Sequence, residues 1–124
     1  MSSNDKASKE QLRPRTYQFA LRVIRLVDSL PRSRSADHIG GQLLRCGTSV
    51  GANYRAACRA RSPAEFRAKL GIVEEESDEA AFWLHILGDS KLMKKEQLIE
   101  LLKESNEITA MVVASIKSSR RSDS

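Results

Sequence analysis

Apolar residues recur along this chain at spacings of three and four, the period of helices that bury one face. No stretch shows the period-two alternation of a strand. Four segments carry the helical pattern. The first is expected from about Thr16 to Leu30 and closes before Pro31, because the residue ahead of a proline is pushed out of the helical region. The second runs from about Ala36 to Ala60, with Ser35 as its N-cap. The third opens on Ser62-Pro63-Ala64-Glu65, where a capping serine, a proline at the first helical position and a glutamate form a capping box. It is expected to stop near Gly88. The fourth spans about Lys94 to Lys117. Short connections favour antiparallel neighbours. The expected fold is therefore all-α, an antiparallel up-down four-helix bundle over residues 15–117, between a flexible N-terminal segment, 1–14, and a flexible tail, 118–124.

The seams are explicit. The third helix offers Phe66, Leu70, Val73, Ser77, Ala80, Leu84 and Leu87, spaced alternately by four and three. The fourth offers Leu98, Leu101, Leu102, Ile108, Val112 and Ile116. The second offers Ala36, Ile39, Leu43, Cys46, Val50, Asn53 and Ala57, which puts Asn53 on a core position with Ser49 one turn earlier. A buried amide must be hydrogen-bonded, so Asn53 reads either as a polar pin for helix register or as a ligand contact. The same helix carries Gly40, Gly41, Gly47 and Gly51, each costing about 1 kcal/mol against alanine. Such residues are retained where something packs very close to the backbone.

The first helix is apolar over more than half its circumference, from Tyr17 and Phe19 through Ile24 to Leu30. A bundle core needs a stripe only somewhat wider than about 100°, and the surplus points to self-association, with the glycines of the second helix buried between subunits. The remaining arc holds Arg15, Gln18, Arg22, Arg25, Ser29 and Arg32, with no acid among them.

Charge sharpens this picture. The net charge is +5, yet residues 1–60 carry 11 Lys/Arg against 4 Asp/Glu, and residues 61–124 carry 10 against 12. The basic excess belongs to the first half, where Arg45, Arg55 and Arg59 of the second helix join the arginine arc. Such an excess either keeps a protein soluble or attracts a polyanion such as nucleic acid. The expected function is a non-enzymatic bundle that binds RNA, or DNA, through this face. The rival is a protein–protein adaptor whose basic face docks an acidic partner. Few aromatics flank the basic residues, so base stacking is not expected.

No apolar run reaches the roughly 20 residues of a membrane span, and no membrane partner is expected. Cys46 and Cys58, on one helix, would lie about 18 Å apart, too far for a disulfide. Reduced thiols make the cytoplasm the default compartment.

The third helix is dense in acid: Glu74, Glu75, Glu76, Asp78 and Glu79. Glu76 and Glu79 share a stripe with Ile72, Trp83 and Ile86, and each is expected to pair with an arginine of the second helix or of a neighbouring subunit. A di-metal bundle wants Glu-x-x-His, but Phe82 precedes His85 and Ser35 precedes His38 at that spacing. Neither metal nor cofactor is expected. No nucleophile–base set has recognisable context, so no enzyme is expected.

Two motifs then carry a family resemblance. The segment from Gln42 to Tyr54 contains Ser49, an aliphatic residue, two small residues and Asn53. Downstream stand Ala57, Arg59, Ala60, Ser62, Glu65, Phe66, Lys69 and Leu70. The segment Glu76-Ser77-Asp78-Glu79-Ala80-Ala81-Phe82-Trp83-Leu84 has acids followed by an aromatic pair and leucine. Over residues 16–116 the combination resembles the four helix bundle proteins, also described as intervening-sequence proteins of large-subunit ribosomal RNA. The accessory variability protein of diversity-generating retroelements is a structural relative. The resemblance implies an up-down bundle in a ring-like homopentamer, and a link to RNA or DNA and to a reverse transcriptase. Many members have an acid after the Asn-aromatic pair, where this chain has Arg55-Ala56-Ala57, so no role for that acid carries over.

Overall fold

The computed structural model describes residues 3–123. Four long helices account for most of them: α1 Ser3–Asp28, α2 Arg34–Cys58, α3 Pro63–Asp89 and α4 Ile99–Asp123, the last preceded by one 3-10 turn, Lys95–Gln97. Each helix packs on its neighbour in sequence, and α1 closes the ring against α4. Side-chain pairs fix the antiparallel sense. Along α1 and α2, Gly40 lies against Leu30, Gly47 against Val23 and Gly51 against Thr16. Along α3 and α4, Arg67 reaches Ser119 and Ser77 reaches Thr109. The expected up-down four-helix bundle is what forms.

The core follows the apolar seams. Leu70, Val73, Ser77, Ala80, Leu84 and Leu87 of α3 are buried, and so are Leu98, Leu101, Ile108, Val112 and Ile116. Ser77 and Ser105 sit inside without cost because they bond each other's surroundings. Ser105 Oγ donates to Ser77 O at 2.6 Å, and the Ser77 and Thr109 hydroxyls share a 2.7 Å bond. This polar rung fixes α3 against α4 at one level, since a shift by a turn would leave its buried oxygens unmatched.

Helix ends differ from the sequence-based expectation in an instructive way. α1 begins at Ser3 rather than Thr16 and runs through Pro14, although an interior proline removes one backbone bond. What holds the extra turns is local. Leu12 is fully buried in the core, and the Thr16 hydroxyl bonds back to Leu12 O at 2.7 Å. The segment 1–14 is thus helical from Ser3, and Met1 and Ser2 lie outside the described residues. α4 likewise continues to Asp123, past the expected end at Lys117; Ser124 lies outside the described residues. The cap of α2 is Ser33, whose Oγ accepts from Ala36 N at 3.1 Å, rather than Ser35. Ser62 caps α3 as expected, accepting from Glu65 N at 3.1 Å, while the Glu65 carboxylate lies 3.6 Å from Arg61 Nε. α3 ends at Asp89, one residue past the expected stop, but Gly88 is not its left-handed cap. It is a buried helical residue on which Leu98 and Lys95 close to 3.3 Å of any added Cβ, and Lys91 takes the left-handed turn at φ 65°.

In α2 the expected seam holds at every position but one. Tyr54, not Asn53, is buried. Steps of three and four from Val50 lead to either residue, and the larger apolar ring takes the interior. Asn53 is half-buried, and its Nδ2 donates to Ser49 O at 3.0 Å and Ser49 Oγ at 2.8 Å. It braces its own helix and pins nothing across the bundle. The glycines of α2 do mark a close approach, but the partner is α1 of the same chain. A Cβ at Gly47 would lie 2.7 Å from Val23 Cγ1, and one at Gly51 would lie 3.1 Å from Thr16 O, whereas Gly41 faces open space.

Candidate functional site

The arginines divide into two groups once the helices are assembled. One group is engaged inside the bundle. Arg15 Nη2 lies 2.5 Å from Glu104 and 2.6 Å from Glu107, its Nε donates to Glu104 at 2.9 Å, and its Nη1 reaches Met111 Sδ. Hydrogen bonding to Arg15 holds the Glu104 carboxyl below its ordinary value, and the same bond raises the already high pKa of Arg15. The acid-free arc seen on α1 alone therefore meets acids from α4. Arg22 adds to the field on Glu104. Arg32 pairs with Asp37 at 3.2 Å, and Arg25 is exposed.

Arg45 is also engaged. Its guanidinium bonds Glu76 at 3.0 Å and Glu79, and Glu79 accepts from Trp83 Nε1 at 3.0 Å. Trp83 meets the His38 ring edge-on at 6.0 Å. The expected pairing of Glu76 and Glu79 with an arginine of the second helix is realised within the chain, and it clamps α2 to α3. Burial, reinforced by Glu79, pushes the nearby Cys46 thiol up to about 12. Cys46 is accordingly an unreactive core thiol at neutral pH.

The second group converges at the end of the bundle where α1 begins and α2 ends. A cleft of about 470 Å³ opens between Arg13, Pro14 and Tyr17 of α1 and Gly51, Arg55 and Arg59 of α2. Gly51 lets α1 approach here, with Thr16 O directly over its Cα. Among the described residues no acid pairs with Arg13, Arg55 or Arg59. α3 starts and α4 ends at the same pole, which adds Arg61, Arg67, Arg120 and Arg121 nearby. Tyr54 and Cys58 form the inner wall. Tyr54 is 1% exposed, and its hydroxyl has no oxygen or nitrogen partner, only the Cys58 thiol beside it. Burial and then Cys58 drive its phenol upward, while Arg13 pulls the other way. The hydroxyl is thus buried beside Cys58 within the wall of the cleft.

Of the residues singled out in sequence, Arg55 and Arg59 meet in this cleft. Arg15, Arg22 and Arg25 lie along α1 outside it, Arg32 lies in the connection to α2, and Arg45 lies in the clamp with Glu76, Glu79 and Trp83. Arg13, Tyr17 and Tyr54 were not singled out. Arg13 fell in the expected lead-in, and continuing the helix through Pro14 places it one turn below Tyr17, where i and i+4 side chains adjoin. No group of His, Cys, Asp or Glu among the described residues is placed to hold a metal ion, and no described helix is long and apolar enough to cross a membrane.

The chain is thus a small, all-helical four-helix bundle with arginine–glutamate pairs along its sides and a basic pole. The chain belongs to the 23S rRNA-intervening sequence protein family, whose model matches residues 9–114. It is similar to the crystal structure of a protein of unknown function from the S23 ribosomal protein family of Bacteroides thetaiotaomicron. The two share 32% identity and a TM-score of 0.80, over 92% of this chain and 98% of that one. No curated protein matches the chain.

Proposed function

We propose that this chain is a non-enzymatic RNA-binding bundle whose contacts are made at the basic pole. The observation that carries the reading is the convergence of Arg13, Arg55 and Arg59 around one cleft, without acidic partners among the described residues. Elsewhere Arg15, Arg32 and Arg45 are each paired with carboxylates of the same chain. The family's association with intervening sequences of 23S rRNA supports RNA over DNA. Two free cysteines fit a cytoplasmic setting.

Binding of structured RNA, read by mobility shift across a range of salt, tests this. Affinity is expected to fall steeply as salt rises, with a slope of about 0.7–0.9 per phosphate neutralised. Replacing Arg55 and Arg59 together by Gln should weaken binding to all sequences alike and flatten that slope, since phosphate contacts carry no base information. The pair Arg22→Gln and Arg25→Gln should do much less. Absence of RNA and DNA binding at low salt would defeat the reading and leave the adaptor with an acidic protein partner in its place.

The working form is an oligomer in this reading, with five copies as the family resemblance implies. Apolar side chains left on the outside support association: Ile24 is 36% exposed, Phe82 53% and Ile99 54%. A ring would repeat the basic pole on every subunit and make binding multivalent. Light scattering on the purified chain checks this, and a monodisperse monomer at micromolar concentration would remove it.

A further inference from the structure

We infer that the cleft at the basic pole is a discrete site for a nucleotide phosphomonoester, with Arg13, Arg55 and Arg59 on the phosphate, the Tyr54 hydroxyl as a buried donor to it, and Tyr17 as the platform for the base. The ligand is a free nucleotide or the phosphorylated end of an RNA strand. The inference rests on the nucleic-acid reading only for the second of these sources.

Three features separate this place from a generally basic surface. The first is shape. A cleft of about 470 Å³ falls in the range of small-ligand sites, roughly 300–1,000 Å³, while a duplex backbone lies across a surface. The second is charge. A phosphomonoester carries about −1.5 to −2 at neutral pH, and planar guanidinium groups recognise its oxygens in pairs. Three such groups face one cleft here with no carboxylate among the described residues that line it. Arginines present only for solubility have no reason to converge.

The third is the Tyr54 hydroxyl. It is buried in the wall of the cleft with no oxygen or nitrogen partner, and the weakly bonding Cys58 thiol is the group beside it. Leaving a donor unsatisfied in the interior is unfavourable, and phenylalanine would fill the same core position without that penalty. A phosphate oxygen seated between the arginines would give the hydroxyl its acceptor. Tyr17 completes the site from outside. It is 63% exposed on the cleft's rim, one helical turn from Arg13, and an exposed ring beside a phosphate site can stack a base. This reverses the expectation that base stacking plays no part.

The test is calorimetric titration of the full chain with adenosine monophosphate, adenosine and inorganic phosphate at low salt, alongside the variants Tyr54→Phe, Tyr17→Ala and Arg55→Gln/Arg59→Gln. The monophosphate should bind, phosphate more weakly, and adenosine weakest. Tyr54→Phe should melt at the same temperature or higher, yet lose about tenfold in affinity for both phosphate ligands. A purely structural tyrosine would keep that affinity. Tyr17→Ala should weaken the monophosphate and leave inorganic phosphate unchanged. The arginine pair should abolish both. A parallel titration with 5′-phosphorylated and 5′-hydroxyl forms of one short RNA distinguishes the sources, since a strand end is the ligand when the phosphorylated form binds at least about tenfold tighter. Phosphate-ligand binding without any RNA binding would uphold the site and defeat the proposed function. RNA binding with no response to monophosphate or phosphate would do the reverse. Monophosphate binding that survives both Tyr54→Phe and the arginine pair also overturns the assignment.

Discussion

Replacing Gly47 by leucine is expected to leave the chain unable to fold at 37 °C, while the same change at Gly41 leaves it folded. A Cβ at Gly47 would lie 2.7 Å from both methyl carbons of Val23 and 2.9 Å from Val23 Cβ, against nothing within 4 Å at Gly41. Val23 is fully buried and β-branched, so it has no spare rotamer into which to retreat. Relief requires α1 and α2 to separate along their whole length, and overpacking of this kind costs about 1–3 kcal/mol even for small insertions. Alanine at Gly47 sets helix propensity, a gain of about 1 kcal/mol, against that clash. The net loss should be about 0–2 kcal/mol. Combining Gly47→Ala with Val23→Ala should cost less than the sum of the two single changes, because the new methyl enters the space the valine vacates. Gly41→Ala should raise stability by about 0.5–1 kcal/mol, since the site is helical and open. Thermal melts of these variants beside the unmodified chain decide the matter. Equal melting temperatures for the alanine variants at positions 41 and 47 would mean that the helix crossing does not depend on Gly47.

That contrast shows what the sequence could and could not convey. Four glycines in one helical segment announced a close approach, and the approach is real at Gly40, Gly47 and Gly51. Whether the approaching surface was α1 or another subunit depends on how helices are placed, which a period along one segment does not encode. The seams were legible for the same reason in reverse: a core stripe is a property of one helix. The exception, Asn53 against Tyr54, arose because steps of three and of four both stay on one face, and side-chain size decided between them. Residues 1–14 are polar enough to read as a flexible lead-in, whereas burial of Leu12 outweighs the single backbone bond that Pro14 removes. That choice hid Arg13, and with it the cleft. The acid-free arc on α1 was read correctly along α1. Its meaning changed because Glu104 and Glu107, nearly 90 residues away in sequence, meet Arg15 in space. Arg55 and Arg59 could equally have served the C-terminal dipole of α2, and only the fold brings Arg13 and Tyr54 to them.

Loss of Arg15 should therefore register in stability and not in ligand binding. Its side chain is 30% exposed and that of Glu104 17%, so the pair is largely shielded and its second acid, Glu107, lies at the surface. Arg15→Ala leaves Glu104 partly desolvated with only the field of Arg22 to offset its charge, and the expected cost at neutral pH is about 2 kcal/mol, below the 3–5 kcal/mol of a fully buried pair. The pH dependence follows from Glu104, whose carboxyl is held below its usual 4.5 by the bond from Arg15. A carboxylate with a depressed folded-state pKa contributes stability that is fully present above the unfolded value. That contribution is lost as pH falls through the folded value. Arg15 stays charged throughout, because its own pKa moves further upward. The unmodified chain should thus lose stability progressively below about pH 4.5, and Arg15→Ala should show a lower plateau and a shallower acid limb. Glu104→Gln keeps an acceptor for the guanidinium and should lose less at neutral pH while flattening the acid limb in the same way. Urea melts between pH 7 and pH 3 measure both quantities, and an acid limb unaltered by either substitution would show that Glu104 is not held by Arg15. RNA affinity of folded Arg15→Ala should match that of the unmodified chain, since a guanidinium committed to two glutamates of α4 has no charge left for a phosphate. A loss of affinity comparable to that of the Arg55/Arg59 pair would move the binding surface from the pole back to the side of α1.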